Sequence, residues 1–174
     1  MSDHSVSGVT LRDIRASDSP QWIAWLNDLE IMGLMDRVDR VSSEAHEAFF
    51  RSSMLDNPAA RWFAIERHGK YIGNVWLWNI HSRHRRAEVR ILIGDRAAWG
   101  TGSGTEALSA IIAHATSAMG LHKIYAFVHE RNQRSKRAFL RAGFVEEVCL
   151  RQEAVWEGRY TDVWRLAFFA EPQI

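Results

Sequence analysis

Cysteine is nearly absent from this chain of 174 residues: Cys149 stands alone. No disulfide framework and no cysteine-built zinc site can form within the chain, and a core thiol is the expected role for Cys149. Proline is scarce too, with three in all. No Pro/Gly-rich linker, repeat or low-complexity tract divides the sequence, so one domain over residues 1–174 is expected. Charge of one sign is also missing. The formal net charge is +1, too small a field to argue for nucleic acid or an acidic membrane as a partner. No apolar run approaches a membrane span, and the opening MSDHSVSGVT has neither a basic segment nor an apolar core. A cytoplasmic protein is the natural expectation. His81 and His84 are spaced H-x-x-H without any accompanying ligand set, so no metal is expected.

What remains is ordinary in bulk and unusual in detail. Apolar residues make up 47% and charged residues 25%, typical of a globular domain with a full core. Eight tryptophans are more than such a chain usually carries. Residues 9–14 alternate like a short strand. Ser17 or Asp18 can cap a helix with Pro20 in its first turn and Trp22, Ile23, Trp25, Leu26 and Leu29 apolar. Ser42 or Ser43 opens a second helix that Asn57-Pro58 ends. Residues 61–66 and 71–80 read as strands joined at His68-Gly69-Lys70, and residues 86–93 as another after a basic turn. Leu108, Ile111, Ile112, Ala115 and Met119 share a helical face that Gly120 terminates. Residues 124–128 suit a buried strand, residues 133–142 a helix, and residues 144–149 and 160–169 two closing strands. The order predicts a mixed α/β sheet, antiparallel early and with crossover helices late.

One stretch carries chemistry: ILIGDRAAWGTGSGTEA, residues 91–107. An apolar strand breaks at Gly94, glycines recur at 100, 102 and 104, and a helix begins at once. Side-chain-free residues at a helix N-terminus bare several backbone N–H groups, and the helix dipole adds positive potential there. A phosphate cradle is the natural reading. A nucleotide P-loop would need lysine after its last glycine, and Ser103-Gly104-Thr105 supplies none. A dinucleotide fingerprint would sit early in a repeated βαβ fold with GxGxxG spacing, and neither holds. A glycine-rich turn that only lets the helix pack closely is the remaining plain alternative.

The pair of motifs WGTGSGTEAL and GLHKIYAFVHERNQRSKRAFLRAGFVEE resembles the GNAT superfamily of N-acetyltransferases. Within it the chain resembles the ribosomal-protein alanine acetyltransferase (RimJ/RimL-like) branch, whose closing hairpin LRQEAVWEGRYTDVWRLAF also suggests. The resemblance implies a single-domain α/β (α+β) fold: a mixed, mostly antiparallel sheet flanked by helices and splayed between its fourth and fifth strands. It implies acetyl-CoA as co-substrate. The pyrophosphate would rest on Trp99, Gly100, Thr101, Gly102, Ser103, Gly104 and Thr105. The pantetheine arm would lie along Ile91, Leu92 and Ile93 like an added strand. The chain departs from the family at Trp99 and Thr101, where a Gln or a cation is usual, and Arg96, Arg134, Lys136 or Arg137 are candidates to compensate.

Acetyl transfer to an amine needs a base for the amine proton, donors for the developing oxyanion and an acid for the departing thiolate. The resemblance makes Glu88 the first candidate base and Glu153 the second. Backbone amides near residues 91–93 would serve the oxyanion. The tyrosine many members carry is replaced by Phe139, which leaves Ser135 as the hydroxyl, with Tyr125 and Tyr160 as further sources. Asn132 would contact the pantetheine region or simply cap its helix. Trp76 and Trp78 share a strand face, with Trp62, Trp156 and Trp164 as candidates to join them in a wall lining an acceptor pocket. The acceptor stays open: a protein or peptide N-terminal amine, an amino sugar on a nucleotide carrier, or another small amine such as a polyamine. A non-catalytic acyl-CoA sensor is a further alternative. The family's habit suggests a homodimer.

Overall fold

In the computed structural model, which describes residues 8–171, seven strands form one sheet. They are β1 (Val9–Asp13), β2 (Arg61–Arg67), β3 (Lys70–His81), β4 (Arg86–Ile93), β5 (Lys123–His129), β6 (Val145–Trp156) and β7 (Arg159–Phe169). Their order across the sheet is β1-β2-β3-β4-β5-β7-β6. Every neighbouring pair is antiparallel except β4 and β5. The two ends of the expected 1–174 domain lie outside the described residues.

The parallel pair is short. Arg86, Ala87 and Glu88 face Lys123, Ile124 and Tyr125, and the register stops there. β4 nevertheless continues against β3 as far as Ile93, and β5 continues against β7 as far as His129. The two strands therefore part beyond Glu88, which is the splay the sequence led us to expect.

Alternation along β4 sends its side chains to two different cores. Ala87, Val89, Ile91 and Ile93 meet α4 (Ser103–Ala113) and α5 (Gln133–Arg141), around fully buried Leu108 and Ile111. Leu92 meets Trp22, Ile31, Trp62 and Trp76 beneath α1 (Ser19–Leu26), α2 (Leu29–Leu34) and α3 (Ser43–Phe49).

Helix starts follow local chemistry. Pro20 lies in the first turn of α1, the Ser42 hydroxyl accepts from Ala45 N–H at 3.1 Å, and Asn132 caps α5. The first expected helix is divided, however. Asn27 is drawn out to bond both main-chain groups of Val41, at 2.8 and 2.9 Å, and Asp28 then caps α2 through Glu30 and Ile31 N–H. That break comes from a contact fourteen residues away, so local pattern did not show it. The second expected helix ends as α3 at Phe49 and passes into a π-helical turn over Phe50–Leu55.

The closing hairpin is also longer than expected. β6 runs on past Cys149 to Trp156 through two irregularities, one between Leu150 and Ala154. Cys149 corrects the core-thiol expectation: it is half-buried, with Sγ 3.5 Å from Asp162 Oδ2.

Gly94 ends β4 where the sequence placed the break, and the reason is steric. A Cβ there would lie 2.0 Å from the ring of Trp25, while its N–H donates to Ile72 O at 2.9 Å. Gly94→Ala should cost about 1–3 kcal/mol, the range for overpacking a filled site, read as a lower denaturant midpoint. A second prediction concerns pH. His46 is held below the ordinary histidine value by burial, and His129 by burial and then by Arg131. Unfolding returns both to about 6.5, so the unfolded chain binds more protons below that pH. Stability should be full above it and decline as pH falls through the depressed folded values. Urea unfolding at stepped pH should show a shallower decline for His46→Asn than for the parent.

Candidate active site

The splay opens into a cavity of about 330 Å³ whose walls are the end of β4, the glycine loop, α2 and α5. Ile91, Leu92 and Ile93 line one side, with Trp99, Gly100, Gly102, Gly104 and Thr105 at the end. Trp99 is held in place: its indole N–H donates to Ile93 O at 2.7 Å, and the Arg134 guanidinium lies 3.6 Å from the ring centroid. The Ile93 carbonyl is thereby already bonded.

Gly102 takes φ 90° as the residue before α4, a left-handed conformation that favours glycine. Gly104 has no such reason. It lies inside α4, and an added Cβ would meet nothing closer than Ala138 Cβ at 3.8 Å. Packing does not require glycine there, which answers the plain alternative of a packing turn. What its hydrogen keeps open is the cavity beside the first N–H groups of the helix, which have no intrahelical partner.

The side chains of Thr101 and Ser103 turn away from this space. Ser103 is fully buried, its hydroxyl 2.8 Å from that of Thr101, and the Arg67 guanidinium donates to both. Neither side chain faces the cavity, so only their main chain is left for the cofactor role expected of them.

Positive charge comes from elsewhere. Arg134, Arg137 and Arg141, spaced three and four residues apart on α5, line the cavity opposite the glycines. Partial desolvation against Trp99 holds Arg134 below the usual guanidinium value. The other two candidates are committed: Arg96 pairs with Asp28 and Glu30, and Lys136 with Glu146 beside the ring of Trp164. A concavity of helix N–H groups, missing side chains and three arginines has the chemistry of a polyphosphate site, and it fits the pyrophosphate and further phosphate of CoA.

Glu88 stands at the apex of the splay, in the last pair before β4 and β5 part. It is 5% exposed, and Oε1 accepts from Arg90 Nε at 2.5 Å. Ser135 and Asn132 line the cavity, with Asn132 Oδ1 accepting from Ser135 N–H at 3.1 Å. Phe139 is buried edge-on against Phe144 and offers no proton. Glu153 is exposed in the irregular stretch of β6 and lines neither this cavity nor the aromatic one. Of the hydroxyl alternatives, Tyr160 is exposed and Tyr125 is buried beneath Arg165.

A second cavity, of about 420 Å³, meets the first at Met35. Trp62, Trp76 and Trp78 form its wall, Trp62 stacking on Trp76 at 4.5 Å and meeting Trp78 edge-on. Trp22, from α1, completes it at 5.5 Å from Trp62 and is the member sequence reasoning missed, because a helix residue gives no sign of which sheet face it covers. Trp156 and Trp164 do not join. Trp156 lies beneath Arg131 near Gly33, and Trp164 beneath Lys136.

Among the described residues no three His, Cys, Asp or Glu side chains gather as a metal site, and no helix is long and apolar enough to cross a membrane. The basic turn bends back on the protein: Arg85 Nε donates to Gly120 O at 2.6 Å, and the rings of His81 and His84 lie 4.2 Å apart.

The model of the acetyltransferase (GNAT) domain matches residues 9–145. Spermidine N(1)-acetyltransferase of Vibrio cholerae is 29% identical over 160 residues, 92% of each chain. The Escherichia coli enzyme of the same name is 30% identical over 131 residues, 72% of this chain and 70% of that one. The crystal structure of the Vibrio cholerae enzyme in complex with CoA and spermine superposes with a TM-score of 0.86 at 30% identity, covering 94% and 96% of the two chains. These relatives correct the expected branch: the likeness is to spermidine N-acetyltransferases, not to ribosomal-protein acetyltransferases.

Gly104 separates fold from ligand. Gly104→Ala should stabilise the chain by about 0.5–1 kcal/mol through helix propensity. Gly104→Val should keep the fold, by circular dichroism, and weaken CoA binding by roughly tenfold or more, about 1.4 kcal/mol, in calorimetric titration. A valine variant with undiminished CoA affinity would show that the carrier lies elsewhere.

Proposed function

Because the chain belongs to the acetyltransferase (GNAT) domain family and is an acetyl-CoA-dependent N-acyltransferase, we propose that its acceptor is the primary amine of a small molecule. That acceptor is held over β4, with the carrier in the glycine-lined cavity. The observation that carries this reading is continuity: the phosphate-suited cavity lies along the end of β4 and shares Met35 with the tryptophan-walled cavity, whose Arg90 is bonded to Glu88, a residue that itself lines neither. The relatives act on spermidine by name, which supports a small amine over a protein N-terminus.

Acetyl-CoA supplies an acyl thioester; the chain's own groups do the rest. Arg134, Arg137 and Arg141 and the amides at the start of α4 would hold its phosphates. Beyond Glu88, alternate N–H groups of β4 point away from β3 into the splay, as strand geometry dictates. They are placed to bond the extended arm and to take the charge that grows on the carbonyl oxygen. The amine nitrogen forms a C–N bond as the thioester C–S bond breaks. The amine proton passes to Glu88, directly or through water, and the thiolate takes a proton from the Ser135 hydroxyl as that hydroxyl takes one from water.

Free thiol released from acetyl-CoA measures the turnover. Glu88→Gln should lower kcat by roughly a hundredfold, the scale of general-base contributions, with CoA affinity unchanged. Full activity in that variant removes Glu88 as the base. Ser135→Ala should lower kcat little above the thiol pKa of about 8.5, where the thiolate can leave unprotonated, and more as pH falls below it, and a parallel profile would assign the thiolate's proton to water.

A further inference from the structure

The tryptophan-walled cavity has an electrostatic character that its relatives' substrate does not match. Two arginines line it, Arg37 from the segment after α2 and Arg90 from β4, and no carboxylate lines it among the described residues. The nearest carboxylate along β4, Glu88, already accepts from Arg90. Of the four acids at residues 36–47, Asp36 pairs with Arg131 at 3.2 Å and Glu47 with Arg51 at 2.5 Å, and Asp39 and Glu44 do not line the cavity. His46 adds no negative charge; burial holds it toward the neutral form, and its Nε2 lies 3.2 Å from the Ser19 hydroxyl.

Hydrogen bonding points the same way. Three N–H groups of the lining residues, Trp22 Nε1, Trp62 Nε1 and Arg37 Nε, are buried without a partner. Buried donors are nearly always bonded, and each left unmade costs about 1–3 kcal/mol. A protonated polyamine brings only donors and positive charge, so it adds nothing these groups can use and is repelled by the Arg37 guanidinium, Arg90 being paired with Glu88. An anionic oxygen group brings acceptors and the opposite charge, and flat indole faces favour a flat body.

We propose that the acceptor is a primary amine on a flat, apolar body that bears a carboxylate or phosphate, with the Arg37 guanidinium holding the anion. The proposal rests on the acetyltransfer reading above and narrows its acceptor. The anion, not a second amine, orients the substrate so that its nitrogen reaches the apex at Glu88.

The full chain is assayed for thiol release from acetyl-CoA with para-aminomethylbenzoate, para-aminomethylphenyl phosphate, uncharged para-methylbenzylamine and spermidine. At least one anionic amine should exceed both para-methylbenzylamine and spermidine in kcat/KM by an order of magnitude, and the better of the two identifies the anion. Arg37→Gln should collapse that ratio mainly through KM of the anionic amine. Spermidine turned over as well as or better than the anionic amines overturns the inference and leaves acetyltransfer standing; so does a ratio unmoved by Arg37→Gln. Thiol release from none of the four overturns the acetyltransfer reading and this inference with it. Should the variant fail to fold, the comparison among amines on the parent protein decides alone.

Discussion

Three residue pairs between β4 and β5 hold the sheet together at its centre, and everything functional depends on their being only three. Had the parallel register continued, the polar main chain of β4 beyond Glu88 would be spent on β5, and no cleft would exist. Instead β4 stays bonded to β3 and β5 to β7, so each strand remains a full member of the sheet while their facing edges part. Main-chain groups on such an edge need partners. An extended, amide-bearing carrier supplies them, which gives physical content to the proposed position of the pantetheine arm.

The same economy governs charge. The glycine loop carries no cation from residue 99 to 105, and across the cavity one stripe of α5 presents three. The indole of Trp99 links the two sides, bonding to the end of β4 while stacking beneath Arg134. Loop, strand end and helix are thus positioned by a single side chain. Arg67 acts from outside: it holds Thr101 and Ser103 and so sets the loop's shape without entering the cavity.

Likeness to the spermidine enzymes establishes the family and the reaction, while the proposed acceptor cavity has a lining of its own. The fold is shared over nearly the whole chain, at 30% identity. Such a level leaves room for the lining of one cavity to differ. Function on a common fold resides in the side chains of the site, and here those are indoles and guanidiniums.

By itself the sequence determined the element order, the strand break at Gly94, the glycine loop at a helix N-terminus and, through paired motifs, the acetyltransferase class. Each of these is written in spacing over a few consecutive residues. Sequence could also nominate Glu88, Ser135, Arg134 and Arg137, but it did not point to Arg141 and could not distinguish Arg134 and Arg137 from Arg96 and Lys136, all of which lie near the loop or on α5. Tertiary structure alone decided that Glu153 stays exposed, that Ser103 is sealed by Arg67, that helix α2 interrupts the first helix, and that Trp22 rather than Trp156 or Trp164 completes the aromatic wall. The physical reason is that such outcomes are set by contacts between distant segments, where packing and paired charge choose which face of an element meets the cavity.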